Sequence, residues 1–389
     1  MKTICHINTT FLHKAGSARR TFAVIRSLAD KNYEVIQIVG RDFEPQQDWD
    51  LTGIEFIQIT NLVKYINPVR DLIAFLKLYK ILKQYRPQIV HTHLAKAGFL
   101  GRLAARLAKI PIIIHTVHGP TFPSGIHPIK RYVYRFLERF CSKFTHKFVF
   151  VGEEIRDEYV RNKICPTEKT VVIRSGRPQS DFSAADKITQ DEIKSVRKSF
   201  SDEQGVFLIG YVARLVPSKA QDVAIRILKE IREKGVDGHL VLIGEGHLPE
   251  EKKYETLLKR LIIELNLSKY VHFTGYQYNV FLYMKVMDVL ILPSRYEGLP
   301  NIAIEAGIVG KPMVSYDVCG IHEVIRNNIT GYIVKQGDYQ NMAEKLIFLA
   351  QNSEIARAMG KSAQFEIREL YNMDKMLKDK LKFYESFLK

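Results

Sequence analysis

The sequence predicts two doubly wound α/β domains, and three observations lead to that class. The chain has 389 residues, too long for one small core and well suited to two. Its 46% hydrophobic and 11% aromatic content is that of a folded globular protein. Short apolar runs alternate with amphipathic stretches in both halves, the pattern of parallel sheets covered by helices.

The elements follow in order. The N-terminal run Met1–Asn8 lacks a long apolar region and a small-residue cleavage site, so it reads as a first strand and not a signal peptide. Strands in the first half are expected near 3–8, 34–39, 54–59, 88–91, 111–115 and 147–151. Those of the second are expected near 206–212, 239–243, 271–273, 287–292, 312–315 and 331–334. The polar stretch Pro178–Asp186 has no period and reads as a linker. The expected domains are 1–178, a linker and entry helix over 179–204, a second domain over 205–365, and a C-terminal helix over 366–389 packing back on the first. Four cysteines (Cys5, Cys141, Cys165, Cys319) lack metal-ligand spacing and read as reduced thiols in a cytosolic protein. No uncharged apolar run reaches the ~18 residues that span a bilayer.

Charge is divided unevenly. Residues 1–180 hold 29 Lys+Arg against 14 Asp+Glu, while residues 181–389 hold 29 against 28. Between Lys64 and Lys147 there are sixteen basic residues and two acids, Asp71 and Glu138. The first half therefore faces something anionic: nucleic acid, anionic lipid or a phosphorylated substrate. Ile129, Val133, Phe136, Leu137 and Phe140 make an apolar helical face, and Arg131, Arg135 and Arg139 a cationic stripe. Lys77, Lys80, Lys83 and Arg86 charge a second helix that carries Phe75 and Tyr79. Such helices suit an anionic membrane surface, or else the apolar face packs on the sheet with its cations solvated.

Ligands of doubly wound sheets bind where strands end and loops enter helices. The strand-like run Val286–Leu292 leads into Pro293-Ser294-Arg295-Tyr296-Glu297-Gly298-Leu299-Pro300-Asn301, and a helix is expected to open with Asn301 as its cap. That places Glu297 in the loop and Glu305 one turn inside the helix, around an N-terminus that favours an anion. One acid then lies beside a phosphate while the other reaches a polyol, the combination a sugar nucleotide offers. After another strand, Arg214 and Lys219 suit a diphosphate, and as a pair serve equally well as solvated cations. Gly244-Glu245-Gly246 is too short for a dinucleotide fingerprint and reads as a wall of the site. In the first half, Lys14-Ala15-Gly16-Ser17 precedes a helix, and Gly16 would allow close backbone approach. His118 could bond a sugar hydroxyl or a phosphate oxygen, or be structural, as His91, His93 and His115 are read. Asp48-Trp49-Asp50 matches an acid-x-acid metal motif but has no partner ligand nearby in sequence, so it reads as a solvated loop. No metal site, P-loop or serine nucleophile elbow is found.

Together these residues resemble the retaining GT-B glycosyltransferases of family four over nearly the whole chain. The matching pieces are Gly210–Lys219, Phe273-Thr274-Gly275-Tyr276, Pro293–Asn301 closing at Glu305, Arg86–His93 and Thr116–Gly119. The resemblance implies two facing Rossmann-like domains with a deep cleft between them. It implies that Arg214 and Lys219 bind the donor diphosphate, Glu305 the ribose, and Glu297 the donor sugar. Amides of Gly298, Leu299, Pro300 and Asn301 would lie near sugar and phosphate. Backbone around Tyr276 would meet the base, His118 the sugar, and Gly16 the diphosphate. Glu297, His118, Lys219 and Arg214 are thus the expected catalytic set, with no metal or other cofactor.

Three departures stand out. Ser17 replaces a second glycine, Ser175-Gly176-Arg177-Pro178 replaces a usual Asn-Gly-hydrophobic-Asp, and Gly152 replaces a usual serine. The expected activity is sugar transfer from a nucleotide sugar, UDP-linked by preference, to a glycan or lipid-linked glycan in bacterial surface polysaccharide synthesis. The expected location is cytoplasmic, peripheral on the inner membrane face. The rival readings are a GT-B sugar-nucleotide epimerase and a basic nucleic-acid- or polyanion-binding protein.

Overall fold

The computed structural model describes residues 2–12, 16–119, 121–122, 127–203, 205–297 and 299–388. They form two units, Met1–Gly176 with Met373–Lys389, and Arg177–Asn372. Gly298 and the Lys14-Ala15 pair of the sequence motifs lie outside the described residues.

The first unit carries strands β1 (Thr3–Leu12), β2 (Glu34–Glu44), β3 (Ile54–Gln58), β4 (Ile89–His93), β5 (Ile112–Val117), β6 (Lys147–Phe150) and β7 (Thr170–Val172). Helices α1 (Gly16–Ala29), α2 (Pro68–Tyr85), α3 (Ala95–Leu107), α4 (Pro128–Ser142) and α5 (Glu153–Arg161) connect them. All pairings are parallel, in the order β3-β2-β1-β4-β5-β6-β7. The inner strands β1, β4, β5 and β6 are buried on both faces, which explains their near-continuous apolar runs. The partly buried three-residue β7 was not expected from sequence, because it is too short to show a period.

The second unit begins with α6 (Gln179–Asp186) and α7 (Gln190–Lys198). Helix α6 corrects the expected linker: Phe182 and Ala185, three apart, are buried in this unit's core while the polar residues between and before them face outward or half-outward. Two apolar anchors suffice for two turns, and so few leave no visible period. A capping box of Thr189 and Glu192 starts α7. Strands β8 (Phe207–Val212), β9 (Gly238–Ile243), β10 (Val271–Gly275), β11 (Val289–Leu292), β12 (Met313–Tyr316) and β13 (Gly331–Val334) follow. They are all parallel and ordered β10-β9-β8-β11-β12-β13. Helices α8 (Gln221–Glu233), α9 (Pro249–Glu264), α10 (Val280–Val286), α11 (Asn301–Ile308), α12 (Tyr339–Gln351) and α13 (Ser353–Leu370) complete it. The final helix, α14 (Met373–Leu388), belongs to the first unit, where Met376, Tyr384 and Leu388 join the core beside β1 and α1.

Strand order reverses direction between β1 and β4 in one unit and between β8 and β11 in the other. At such switch points adjacent loops diverge, leaving a crevice at the carboxyl ends of the strands. No helix among the described residues is long and apolar enough to cross a membrane.

Both acids of the basic stretch are already paired: Asp71 with Lys96 at 2.7 Å, and Glu138 with Arg102 at 2.9 Å. Arg102 and Glu138 are buried, join α3 to α4, and the guanidinium also donates to the Gly98 carbonyl at 2.7 Å. Removing one partner strands a buried charge. Glu138→Ala should lower unfolding free energy by about 3–5 kcal/mol, read from urea denaturation; a loss below about 1 kcal/mol, the scale of an exposed pair, would place the pair in solvent.

Candidate functional site

At the switch point of the second unit, two of the residues singled out by sequence, Lys219 and Glu297, come into contact. Because β8 lies directly against β11, the loop leaving each strand must run beside the other. The backbone joins them: the Arg295 amide donates to the Ser218 carbonyl at 2.9 Å. The Tyr211 hydroxyl donates to the Lys219 carbonyl and lies 3.2 Å from Ser294 Oγ. The Arg295 guanidinium bonds the Pro217 carbonyl and pairs with Asp222 at 3.0 Å. Lys219 Nζ thereby reaches Glu297 Oε1 at 2.6 Å, with the two side chains 29% and 12% exposed.

Arg214 leaves the same β8 loop and is held more loosely. Its guanidinium is 59% exposed and 3.4 Å from Glu251 Oε1. Burial alone would raise the Glu251 carboxyl, but amide bonds from His247 and Leu248, with Arg214 nearby, hold it below the usual carboxylate range. Gly244 closes this wall. At φ +132° its added Cβ would sit 2.3 Å from the Ala213 carbonyl oxygen, so only glycine fits.

Helix α11 differs from expectation at its start. The cap position is Pro300, with no side-chain capping bond, and Asn301 is the first helical residue. Proline's fixed φ suits entry into a helix. Leu299 is half-buried and Pro300 buried. Glu305, one turn in, is bound by a residue that sequence reasoning did not select: Arg177 Nη2 lies 3.0 Å from Glu305 Oε1 and 2.8 Å from Asp181 Oδ2. The available signal was the arginine itself, standing where the family pattern has a hydrophobic residue. Tyr276 follows β10 and is half exposed, its ring edge-on to Tyr278 at 5.1 Å.

In the first unit, His118 ends a chain of polar groups at the switch point. Its Nε2 is 3.2 Å from His93 Nδ1, and His93 Nε2 is 3.0 Å from His6 Nδ1. His6 Nε2 is 3.3 Å from the Tyr384 hydroxyl, which is 2.5 Å from His91 Nδ1; His91 Nε2 is 2.6 Å from Thr116 Oγ1. Burial holds the His6 and His118 pKa values down at about 3 and lowers those of His91, His93 and His115. Nitrogens of His6, His91 and His93 lie within 4.8 Å of one another, the one such group of three or more metal-ligating side chains among the described residues. Their rings stack, and their nitrogens bond each other, Tyr384 and Thr116 instead of converging on a point.

Gly16 opens α1 in ordinary backbone geometry, and a Cβ there would meet only the Arg20 side chain, at 3.2 Å. Asp48-Trp49-Asp50 is a packing element: Trp49 stacks on Phe22 at 4.1 Å, and Asp50 pairs with Arg26 at 3.4 Å.

Comparison with known proteins follows the two units. A family model described as "Glycosyl transferases group 1" matches residues 192–365, and one described as "Glycosyltransferase Family 4" matches residues 15–178. The chain is 32% identical over 370 residues to N-acetyl-alpha-D-glucosaminyl L-malate synthase of Bacillus anthracis, covering 90% of this chain and 89% of that protein. It is 28% identical to UDP-Gal:alpha-D-GlcNAc-diphosphoundecaprenol alpha-1,3-galactosyltransferase of Escherichia coli, covering 95% and 92%. Among solved structures, Anabaena HepE in complex with UDP and glucose superposes with a TM-score of 0.81 at 17% identity, covering 99% and 100%.

The neutral histidines give a pH prediction. Free histidine titrates at 6.5, and in the fold His6 and His118 do so at about 3. Their contribution to stability is complete above pH 6.5 and is lost as pH falls from there toward about 3. The melting temperature should fall through that window, and His6→Gln should flatten the fall. An unchanged slope in the variant would show that the ring is not buried neutral.

Proposed function

The chain belongs to glycosyltransferase family four and has the GT-B fold, and from that membership we propose a specific reaction. It moves a sugar from a UDP-linked donor, with retention of anomeric configuration, to a lipid-linked glycan in bacterial surface polysaccharide synthesis. The observation that carries the reading is Lys219 held on Glu297 at 2.6 Å, between the loop that also carries Arg214 and the loop that leads into α11. The named activity of the Escherichia coli relative, which pairs a UDP-sugar with a diphosphoundecaprenol-linked acceptor, supports the donor and acceptor classes.

The barrier lies in breaking the glycosidic C–O bond while negative charge grows on the departing phosphate. Lys219 and Arg214 oppose that charge, and the N-terminus of α11 adds its dipole, so the residues themselves do the work a divalent metal does elsewhere. Arg214 is exposed enough to swing from Glu251 to a phosphate. The acceptor hydroxyl attacks on the side of the leaving group, and the departing phosphate oxygen takes its proton. Glu297, bound to an ammonium, orients the sugar and Lys219 and is not assigned a nucleophilic role. Glu305 takes the ribose hydroxyls with its carboxylate steadied by Arg177. His118 and Gly16 keep the roles the resemblance gives them, toward sugar and diphosphate.

The acceptor class is supported by the surface of the first unit. The expected apolar face of α4 does not pack on the sheet: Ile129 is 68% and Phe136 58% exposed, beside Tyr132, Val133 and Phe140. Instead the arginine side is partly inward, with Arg131 donating to the Phe122 carbonyl at 3.2 Å and Arg135 over the Phe122 ring. Helix α3 separates α4 from α2, whose N-terminal half exposes Val69, Leu72 and Leu76, with Ile66 exposed just before it. Two outward apolar helix faces on a strongly basic unit fit peripheral binding to an anionic bilayer.

Lys219→Ala and Glu297→Ala should each cut turnover about 10²-fold or more with unchanged circular dichroism, and proton NMR of the product should show the donor's anomeric configuration. Near-normal transfer by Lys219→Ala, or inverted product, would overturn the mechanism. Vesicles containing anionic lipid should float the protein and neutral vesicles should not, and Ile129→Ser with Phe136→Ser should abolish flotation. Equal flotation with both lipids would remove the membrane role.

A further inference from the structure

The loop between β3 and α2, residues 59–67, is firmly seated at the carboxyl end of the first unit's sheet. Leu62 and Val63 are buried, and the Arg41 amide donates to the Leu62 carbonyl at 3.0 Å. Gly40 permits that approach, since an added Cβ would collide with the same carbonyl oxygen. Asn67 caps α2 by accepting from the Arg70 amide at 3.0 Å. Between these anchors the chain turns Lys64, Tyr65 and Ile66 outward.

Cations collect around Tyr65. The Arg70 guanidinium donates to its hydroxyl at 2.8 Å, Arg41 lies over its ring at 5.9 Å, and Lys96 donates to its carbonyl. Acids do not match them in number. Asp71 is taken by Lys96 at 2.7 Å and by the Asn67 amide at 3.2 Å. Arg41 has Asp42 at 3.5 Å, with both side chains half exposed. Among the described residues, the Arg70 guanidinium has the Tyr65 hydroxyl and no acid, and exposed Lys64 has neither. Like charges repel and solvated cations spread apart, whereas these are gathered on one side chain where ligands of such sheets bind.

We propose that Arg41, Lys64 and Arg70 form the seat of the acceptor's diphosphate, an inference that rests on the lipid-linked acceptor proposed above. The outward apolar face of α2 begins where the cations end: Ile66 adjoins Tyr65 and Val69 adjoins Arg70, 71% and 69% exposed. With that face on the bilayer, the cluster stands at headgroup level. There a lipid-borne diphosphate presents its charge while its chain stays among the acyl tails. Its two phosphoryl groups match two guanidinium forks; a phospholipid's phosphodiester brings one. Arg41 is on β2 and Lys64 follows β3, the strands one and two places out from β1. Those strands lie about 5 and 10 Å from β1, which leaves space for the acceptor sugar between the diphosphate and the switch point. Lys80 and Lys83 are exposed farther along α2, Lys80 about 15 Å from Arg70 along the axis, and serve the bilayer alone.

The test titrates the full-length protein calorimetrically with farnesyl diphosphate and farnesyl monophosphate, with saturating UDP present to occupy the donor site. The diphosphate should bind saturably, and the monophosphate about tenfold more weakly. Lys64→Gln and Arg70→Gln should each weaken diphosphate binding about tenfold with UDP affinity unchanged, and Lys80→Gln with Lys83→Gln should leave it as it is. Lys64 bonds nothing in the fold, so a loss in its variant cannot come from altered structure. No saturable binding, equal affinity for both probes, or binding indifferent to Lys64→Gln and Arg70→Gln would overturn the seat. Flotation on anionic vesicles reads the membrane role separately. A protein that floats selectively yet fails the titration loses this seat and keeps the membrane reading; one that binds through Lys64 and Arg70 yet floats equally on both lipids keeps the seat and loses that reading.

Discussion

The direct pairing of β8 with β11 is the constraint on which the second unit's chemistry depends. Two short parallel strands, four and six residues long, end at the same level, and their loops have nowhere to go but alongside each other. Lys219 and Glu297, 78 residues apart in sequence, become an ion pair through that register and the contacts between the loops. Partial exposure screens the pair, so it contributes little to folding. Its value is positional: it brings an ammonium and a carboxylate together beyond the ends of β8 and β11.

Supporting contacts keep the loops from drifting. Tyr211, Ser294, Arg295 and Asp222 spend their polar groups on backbone and on each other, which leaves Lys219, Glu297 and Arg214 as the adjustable charges. The same division appears at α11, where Arg177 ties Glu305 to Asp181 by two ion pairs.

The first unit solves a different problem. The two acids of its basic stretch, Asp71 and Glu138, are already paired, and α2 and α4 turn apolar residues outward beside the remaining cations. Beneath that surface the histidines at the strand ends are neutral and bonded to one another, consistent with their burial. Surface and interior therefore carry opposite electrostatic characters within one sheet's thickness.

Much of this was legible in the sequence. Buried parallel strands announce themselves as apolar runs, and Arg214, Lys219 and Glu297 stand in the loops that follow such runs, with Glu305 one turn into the next helix. Elements with few anchors were not legible: β7 has three residues, and α6 rests on Phe182 and Ala185. The outward face of α4 was also ambiguous, because an amphipathic period shows that a helix has two faces without saying which one is covered. Cross-strand chemistry escaped altogether. His6 sits opposite His91, and His93 opposite Thr116, by strand register that no local pattern encodes. Arg177 was visible as an oddity, but its partner on α11 lies 128 residues away.

The central claim is that Lys219 recognises the donor through its phosphates and not its base. Calorimetric titration of the native protein and Lys219→Ala with UDP and with uridine measures this directly. The account predicts that UDP binds far more tightly than uridine to the native protein, and that Lys219→Ala narrows this advantage by about tenfold to a hundredfold, the scale of a charge-assisted hydrogen bond, with uridine binding unchanged. An undiminished UDP advantage in the variant would contradict it.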